Sequence, residues 1–351
     1  MTYDTCLADF FVIKVTNGQM FDREHMFNTE GNGMLSSEQH RLLYRIATQY
    51  YVDGMTQQQI ADLVGISRPK VSRILQQGRD LGVINITLVP PPDGMTDIER
   101  QLERKYGLAE AVVVPVSDPG SHPTVIRELG PAAADHLTRC IAGNEVIATA
   151  WGTSILALSN ALSNRSWPGV TVVQLLGGLG PTETLDHSSE LIQHLGFKLG
   201  AKVRMLPAPG VVATREMAEF LKADPQIAAA LELAAQADVA LVGLGVPNPH
   251  SMVVRSGIIL SKEDLDHLQA LGAVGDIALR YMDKNGNTID LEINERIIGL
   301  TIDQIRNIPL VIGIAGGINK HEIIKAALHG EILNVLITDL STATALLAGD
   351  E

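Results

Sequence analysis

The chain has 351 residues, a length that suits two or three domains, and its 46% hydrophobic and 19% charged side chains exclude a disordered polymer. Only 4% of residues are aromatic, so Ala, Val, Ile and Leu must fill the core, as they do around buried parallel strands. Two cysteines, Cys6 and Cys140, cannot build a disulfide framework; no apolar run reaches the roughly 18–20 residues of a membrane span; and a net charge of −13 speaks against nucleic acid for the chain as a whole. A soluble, cytoplasmic protein is the expectation.

Residues 1–36 form an N-terminal extension with little pattern. Leu7–Val15 reads as a short strand, while Asn17-Gly18 and Asn28–Gly33 read as loops, so a mobile tail is expected. From Ser37 the periodicity turns helical, with Leu42, Leu43, Ile46, Ala47 and Tyr50 at spacings of three and four before Gly54. Thr56 can cap a second helix, Gln57–Val64. After Gly65-Ile66, Ser67 can cap a third, with Pro69 in its first turn, where a missing N–H costs little. Val83, Ile84, Ile86 and Leu88 read as one side of a β wing. Pro90–Gly94 is the clearest linker in the chain, and Asp97–Tyr106 is a charged helix. The expected domains are therefore 37–89, a linker over 90–96, and 97–351.

The charge is unevenly spread. Residues 37–89 hold Arg41, Arg45, Arg68, Lys70, Arg73 and Arg79 against Glu38, Asp53, Asp62 and Asp80, a balance of +2 that leaves −15 on the rest. Between 67 and 79 there are four bases and no acid. A small basic module is joined to a large acidic body.

Beyond Ala111, β-branched runs alternate with helical stretches. Strands are expected at Ala111–Pro115, Val146–Ala150, Val170–Leu176, Lys202–Leu206, Val239–Leu244, Leu310–Ala315 and Asn334–Thr338. Helices include Val125–Ile141, Ser154–Leu162, Ser188–Leu199, Ile227–Ala237 and His321–Leu328. Strand and helix in alternation predict a mainly parallel sheet covered on both faces. Several strands end in Gly-rich loops, where open α/β sheets bind ligands.

Placed with Gln57 first, a twenty-residue helix-turn-helix puts Ala61 where two helices cross and Gly65 where the turn needs positive φ. Ile60, Val64, Ile66, Val71 and Ile74 fall on the shared core. The outer face of the third helix then carries Arg68, Ser72, Arg73 and Gln76, residue types that read base edges in a major groove. Ser67 opens that helix, and Lys70 sits to the side, where it would touch phosphate. Thr56 and Gln57 can offer backbone N–H groups to another phosphate. Double-stranded DNA is the partner this module predicts, against the plainer reading of an ordinary helical hairpin with solvated charges.

Gly65-Ile66-Ser67-Arg68-Pro69-Lys70-Val71-Ser72-Arg73-Ile74-Leu75, with Leu81-Gly82-Val83-Ile84, resembles the N-terminal module of the SorC family of bacterial transcriptional regulators. Trp151-Gly152-Thr153-Ser154, Leu175-Leu176-Gly177-Gly178, Gly272–Asp276 and Ala315–Lys320 resemble that family's sugar-binding domain in the same order. The resemblance spans about residues 37–349. It implies an N-terminal winged helix-turn-helix, and a C-terminal α/β domain with the fold of ribose-5-phosphate isomerase and glucosamine-6-phosphate deaminase that serves as a sensor. It also implies a homotetramer whose operator binding responds to a phosphorylated sugar or polyol, with no cofactor.

Residue chemistry points to the same pocket. Gly152-Thr153-Ser154 joins a strand end to a helix start, so free N–H groups, two hydroxyls and the positive helix end coincide for a phosphate. Lys320 is the candidate cation, and Gly177-Gly178 would let backbone approach the ligand. Asp276, with Asp186 and His187, could accept or donate to sugar hydroxyls, although Asp186 and His187 read equally well as a helix cap and a surface histidine. His187 and His194 share a helical face, but no carboxylate or Cys completes a metal set. Some members of the resembled family carry an arginine before the Gly-Gly, where this chain has Leu176, which favours a monophosphate or a less charged ligand. Two other readings are a sugar-phosphate isomerase with Asp276 as base and a regulator of an unphosphorylated sugar.

Overall fold

The computed structural model describes residues 11–15, 37–88, 95–178, 187–246 and 262–348. The chain divides into two compact units, 1–94 and 95–351.

In the first unit, β1 (Phe11–Val15) pairs antiparallel with β2 (Ile84–Leu88), Phe11 opposite Leu88 and Val15 opposite Ile84. Part of the N-terminal extension is therefore a strand of the wing. Its partner lies beyond all three helices, a pairing that local sequence pattern cannot reveal. Between the strands run α1 (Ser37–Tyr51), α2 (Gln57–Val64) and α3 (Arg68–Asp80). Ile46, Ala47, Ile60, Ala61, Val71, Leu75 and Ile84 form their common core. Gly65 ends α2 at φ +75°, and its N–H donates to the Ala61 carbonyl over 2.9 Å. An L side chain there would hold a left-handed backbone at a cost of roughly 1–2 kcal/mol. Thr56 makes a full capping box with Gln59. Ser67 has the extended backbone of an N-cap, but its hydroxyl makes no cap bond.

The second unit is built on β3 (Glu110–Val114), β4 (Val146–Thr149), β5 (Thr171–Gln174), β6 (Lys202–Arg204), β7 (Val239–Gly245), β8 (Gly275–Ile277), β9 (Arg280–Met282), β10 (Leu310–Ile314) and β11 (Val335–Asp339). Seven of them run parallel in the order β3-β11-β10-β7-β4-β5-β6, and the β8–β9 hairpin joins the end of β7 antiparallel. Alternate side chains of each strand point to opposite faces, so one sequence run feeds two cores. Ile147, Val172, Leu241 and Ile312 pack beneath α5 (His122–Cys140), α6 (Thr153–Ala161) and α7 (His187–Leu199). Their neighbours Ala148, Val173, Val242 and Val311 join the core on the other face. That face is covered by α4 (Thr96–Tyr106), α9 (Pro225–Ala235), α13 (His321–His329) and α14 (Leu340–Ala348), with α8 (Arg215–Lys222), α10 (Lys262–Ala270), α11 (Glu292–Glu295) and α12 (Ile302–Arg306) completing the chain.

The β8–β9 hairpin is the element that the sequence hides most completely. Its two-residue turn is Ala278-Leu279, at φ +50° and +63°. Such turns ordinarily carry Gly, Asn or Asp. Arg280 anchors it from below: its guanidinium donates to the carbonyls of Leu300 (3.1 Å), Asn294 (2.5 Å) and Gly299 (3.2 Å). Burial, unrelieved by a carboxylate, pushes that guanidinium down to about 10.

Candidate functional site

Strand order fixes where a ligand can enter. After β4 the chain moves toward β5 and β6, and after β7 it moves toward β10 and β11, so the crevice between β4 and β7 is a topological switch point. A cavity of about 450 Å³ lies there, walled by the ends of β4 (Ala150–Ser154), β5 (Leu176), β7 (Gly243–Val246) and β10 (Gly316–Lys320), with Asp276 and the Ala278-Leu279 turn from the hairpin.

Gly152 is the N-cap of α6, and the first intrahelical bond runs from the Leu156 N–H to its carbonyl at 2.9 Å. The N–H groups of Thr153, Ser154 and Ile155 therefore have no partner within the helix. Ser154 is 3% exposed and lines the cavity. Thr153 is exposed, with Oγ1 3.5 Å from Nε2 of His122.

Lys320 closes a short 3₁₀ turn, Ile318–Lys320, and its ammonium donates to the Leu244 carbonyl. That turn is held by a buried network in which Asp339 accepts the Gly317 N–H at 2.6 Å and the Thr342 hydroxyl at 2.6 Å. Asp276 accepts the Leu279 N–H at 3.0 Å, so the strained turn fixes the carboxylate that it follows. Burial pushes the Asp276 carboxyl up to about 6, against the opposing effects of that N–H and of Lys320. Burial likewise brings the Lys320 ammonium down to about 8, with Asp276 opposing. Both groups are thus poised to change charge near neutral pH.

The sequence-predicted residues separate clearly. Gly152, Thr153, Ser154, Asp276 and Lys320 meet in the cavity. Gly177 and Gly178 do not line it. Their neighbour Leu176 does, while a Cβ on Gly177 would stand 2.5 Å from the Pro209 carbonyl oxygen; the missing side chain admits the 208–210 backbone rather than a ligand. Asp186 lies outside the described residues, and His187 is described only as the first residue of α7. Sequence reasoning missed His122, Tyr281 and Leu279 in the cavity wall. The signal for His122 was present in Ser121-His122-Pro123, an N-cap followed by Pro in the first turn, which starts α5 three residues before the expected Val125.

On the helix-turn-helix, Ser67, Arg68, Lys70, Ser72, Arg73 and Gln76 are all exposed, while Val71 and Leu75 are buried beneath them. Gln76 accepts from Arg79 at 2.6 Å and donates to Asp80 at 2.8 Å, and Arg79 also donates to the Tyr51 hydroxyl at 2.8 Å. The Thr56 N–H is not free for a phosphate, because the capping box gives it to the Gln59 side chain at 2.9 Å. Gln57, next in the helix, retains its unpartnered first-turn position.

A basic, exposed recognition helix and a strand-end cavity on separate units match two known domains in order. Residues 40–89 match the Crp-like helix-turn-helix domain, and residues 91–348 match the family described as "Putative sugar-binding domain". The full-length Sorbitol Operon Regulator SorC from Klebsiella pneumoniae superposes with a TM-score of 0.66 at 30% identity, covering 89% of this chain and 100% of that one. The chain belongs to the SorC family of sugar-binding transcriptional regulators. The Deoxyribonucleoside regulator of Bacillus subtilis (strain 168) is 32% identical to this SorC-family regulator over 313 residues, 89% of this chain and 99% of the relative. Transcriptional regulator LsrR of Enterobacter sp. (strain 638) is 33% identical over 319 residues, 90% and 95% of the two chains. The protein is a DNA-binding transcriptional regulator with a sugar-binding domain, and among its described residues no helix is long and apolar enough to cross a membrane.

Proposed function

We propose that operator binding by this regulator is controlled by a phosphorylated sugar or polyol held at the strand ends. The observation that carries the reading is the convergence on one cavity of the first turn of α6, the buried Ser154 and the Lys320 ammonium. Thr153, Ser154 and their N–H groups would take the phosphate, with Lys320 as cation and Gly152 keeping the approach open. Asp276 would accept sugar hydroxyls, with Asp186 and His187 as further contacts. Lys320 and His122 are the cationic candidates among the described lining residues, and Leu176 offers none at the β5 end. That balance supports a monophosphate. One relative is named a deoxyribonucleoside regulator and another the regulator of a sorbitol operon, which supports a sugar or sugar-alcohol effector from a carbohydrate operon.

On DNA, Arg68, Ser72, Arg73 and Gln76 would read bases, with Lys70, Ser67 and the Gln57 N–H on phosphates. One such module reads few base pairs, so a symmetric operator needs an oligomer, and a homotetramer is the form proposed. Phe197, Met217 and Phe220 are 72%, 48% and 78% exposed, and a subunit contact would cover such surface. No catalysis is proposed: the relatives matched over nearly their whole length are named as regulators. A thermal-shift screen of sugar phosphates, polyol phosphates and free sugars tests the effector, since a ligand at 100 times its Kd adds about 2.7 kcal/mol. A response to free sugars alone overturns the phosphate reading. Light scattering tests the assembly, and a monomer with and without DNA overturns it.

A further inference from the structure

We propose that His122 is a direct ligand of the anion in this cavity and takes up a proton as the anion binds. The inference rests on the sugar-phosphate reading of the cavity and adds to it a residue and a proton. His122 enters from an element outside the Gly-rich strand ends, the first turn of α5, and its Nε2 lies 3.5 Å from Thr153 Oγ1. That spacing is too long for a strong hydrogen bond, so neither group is committed to the other. His122, Thr153 and Lys320 line the same cavity, with the buried Ser154 in the same wall.

The electrostatics of the cavity disfavour the protonated imidazole. Partial burial and the positive charge of Lys320 hold His122 below its ordinary value, and the N-terminus of α5 acts in the same direction. The other titratable groups on the described cavity wall are Lys320 on the 3₁₀ turn, Asp276 on β8 and Tyr281 on β9, while α6 contributes only the hydroxyls of Thr153 and Ser154. A dianion seated among Lys320, Thr153 and His122 reverses the sign of the field at the imidazole, which then takes a proton from solvent and donates to the anion. The empty site disfavours the proton and the filled site favours it, so anion affinity must rise as pH falls.

Sulfate tests this directly, because it remains a dianion across the range in which histidine titrates. The melting temperature of the full chain is followed against millimolar sodium sulfate, where the general salting effect is small, with sodium chloride at equal ionic strength as reference, from pH 7.5 to 5.5. The parent protein is expected to bind sulfate several-fold more tightly at the acidic end, on the order of 3- to 10-fold. His122→Gln should bind more weakly at pH 5.5 and lose most of that pH dependence. Asp276→Asn removes the other group that titrates in this range, near pH 6, and should retain the part of the dependence that His122 supplies. A slope unchanged in His122→Gln, or one that vanishes only in Asp276→Asn, overturns the assignment while leaving the anion site standing. Failure of sulfate to act at any pH overturns the anion site itself, and the assignment with it.

Discussion

Replacing Lys320 separates the sensor's charge from its shape. The ammonium donates to the Leu244 carbonyl and lies close enough to Asp276 to oppose that residue's upward shift. Lys320→Met keeps most of the stem's volume and removes both effects. A charge-assisted hydrogen bond to a ligand phosphate is worth about 1.5–3 kcal/mol, or roughly 10- to 150-fold in affinity. The Leu244 carbonyl loses its donor, which costs about 1–3 kcal/mol of stability where water cannot replace it. With the cation gone, the Asp276 carboxyl should rise above its value of about 6. Calorimetry with the phosphorylated effector should therefore show a 10- to 150-fold loss, as estimated from those hydrogen-bond energies, whereas its phosphate-free counterpart should bind parent and variant alike. Operator affinity without effector should match the parent's, since Lys320 belongs to the second unit. Equal affinity of parent and variant for the phosphorylated compound would refute the phosphate site.

Asp276→Asn should raise Tm at pH 8, because the folded carboxyl ionises near pH 6 against an ordinary 3.8, and the gain should shrink as pH falls from 6 toward 4; a gain independent of pH would contradict the burial account. Arg73→Ala should cost about 1–3 kcal/mol at the cognate operator and relax one base position, whereas Lys70→Ala should weaken all sequences alike and flatten the salt slope by about one unit. Footprinting and salt titrations check both. Gly65→Ala should destabilise the helix-turn-helix by roughly 1–2 kcal/mol through its left-handed backbone, measured by urea unfolding. A neutral result there would mean that the turn relaxes.

The sequence carried the alternating strand and helix order because parallel strands buried on both faces need continuous β-branched runs, as in Leu310–Ile314 and Val335–Asp339. The helix-turn-helix was legible because its turn, crossing and core each demand a residue type at a fixed place: Gly65, Ala61, Ile60 and Val71. Two features escaped for physical reasons. β1 pairs with a strand far along the chain, and no local pattern reports a non-local partner. The β8–β9 turn uses Ala278-Leu279 where Gly or Asn is usual, so its signal is missing although its geometry holds Asp276. Gly177 was read as a ligand contact, but a Gly-Gly step cannot say which backbone it admits; here it is the 208–210 segment.

A sugar phosphate in the strand-end cavity is proposed to control DNA binding by the first unit. The most direct test of that control is fluorescence anisotropy of an operator duplex, selected from random sequence, titrated with this protein in the presence of the phosphorylated compound that raises its Tm and of the same compound without phosphate. The phosphorylated compound should displace the binding midpoint by about tenfold or more, on the order of 1.4 kcal/mol. The phosphate-free compound should leave the midpoint in place, and Lys320→Met should bind the duplex normally while losing the response. A midpoint that no cavity ligand moves, or that the phosphate-free compound moves equally, would contradict the proposal.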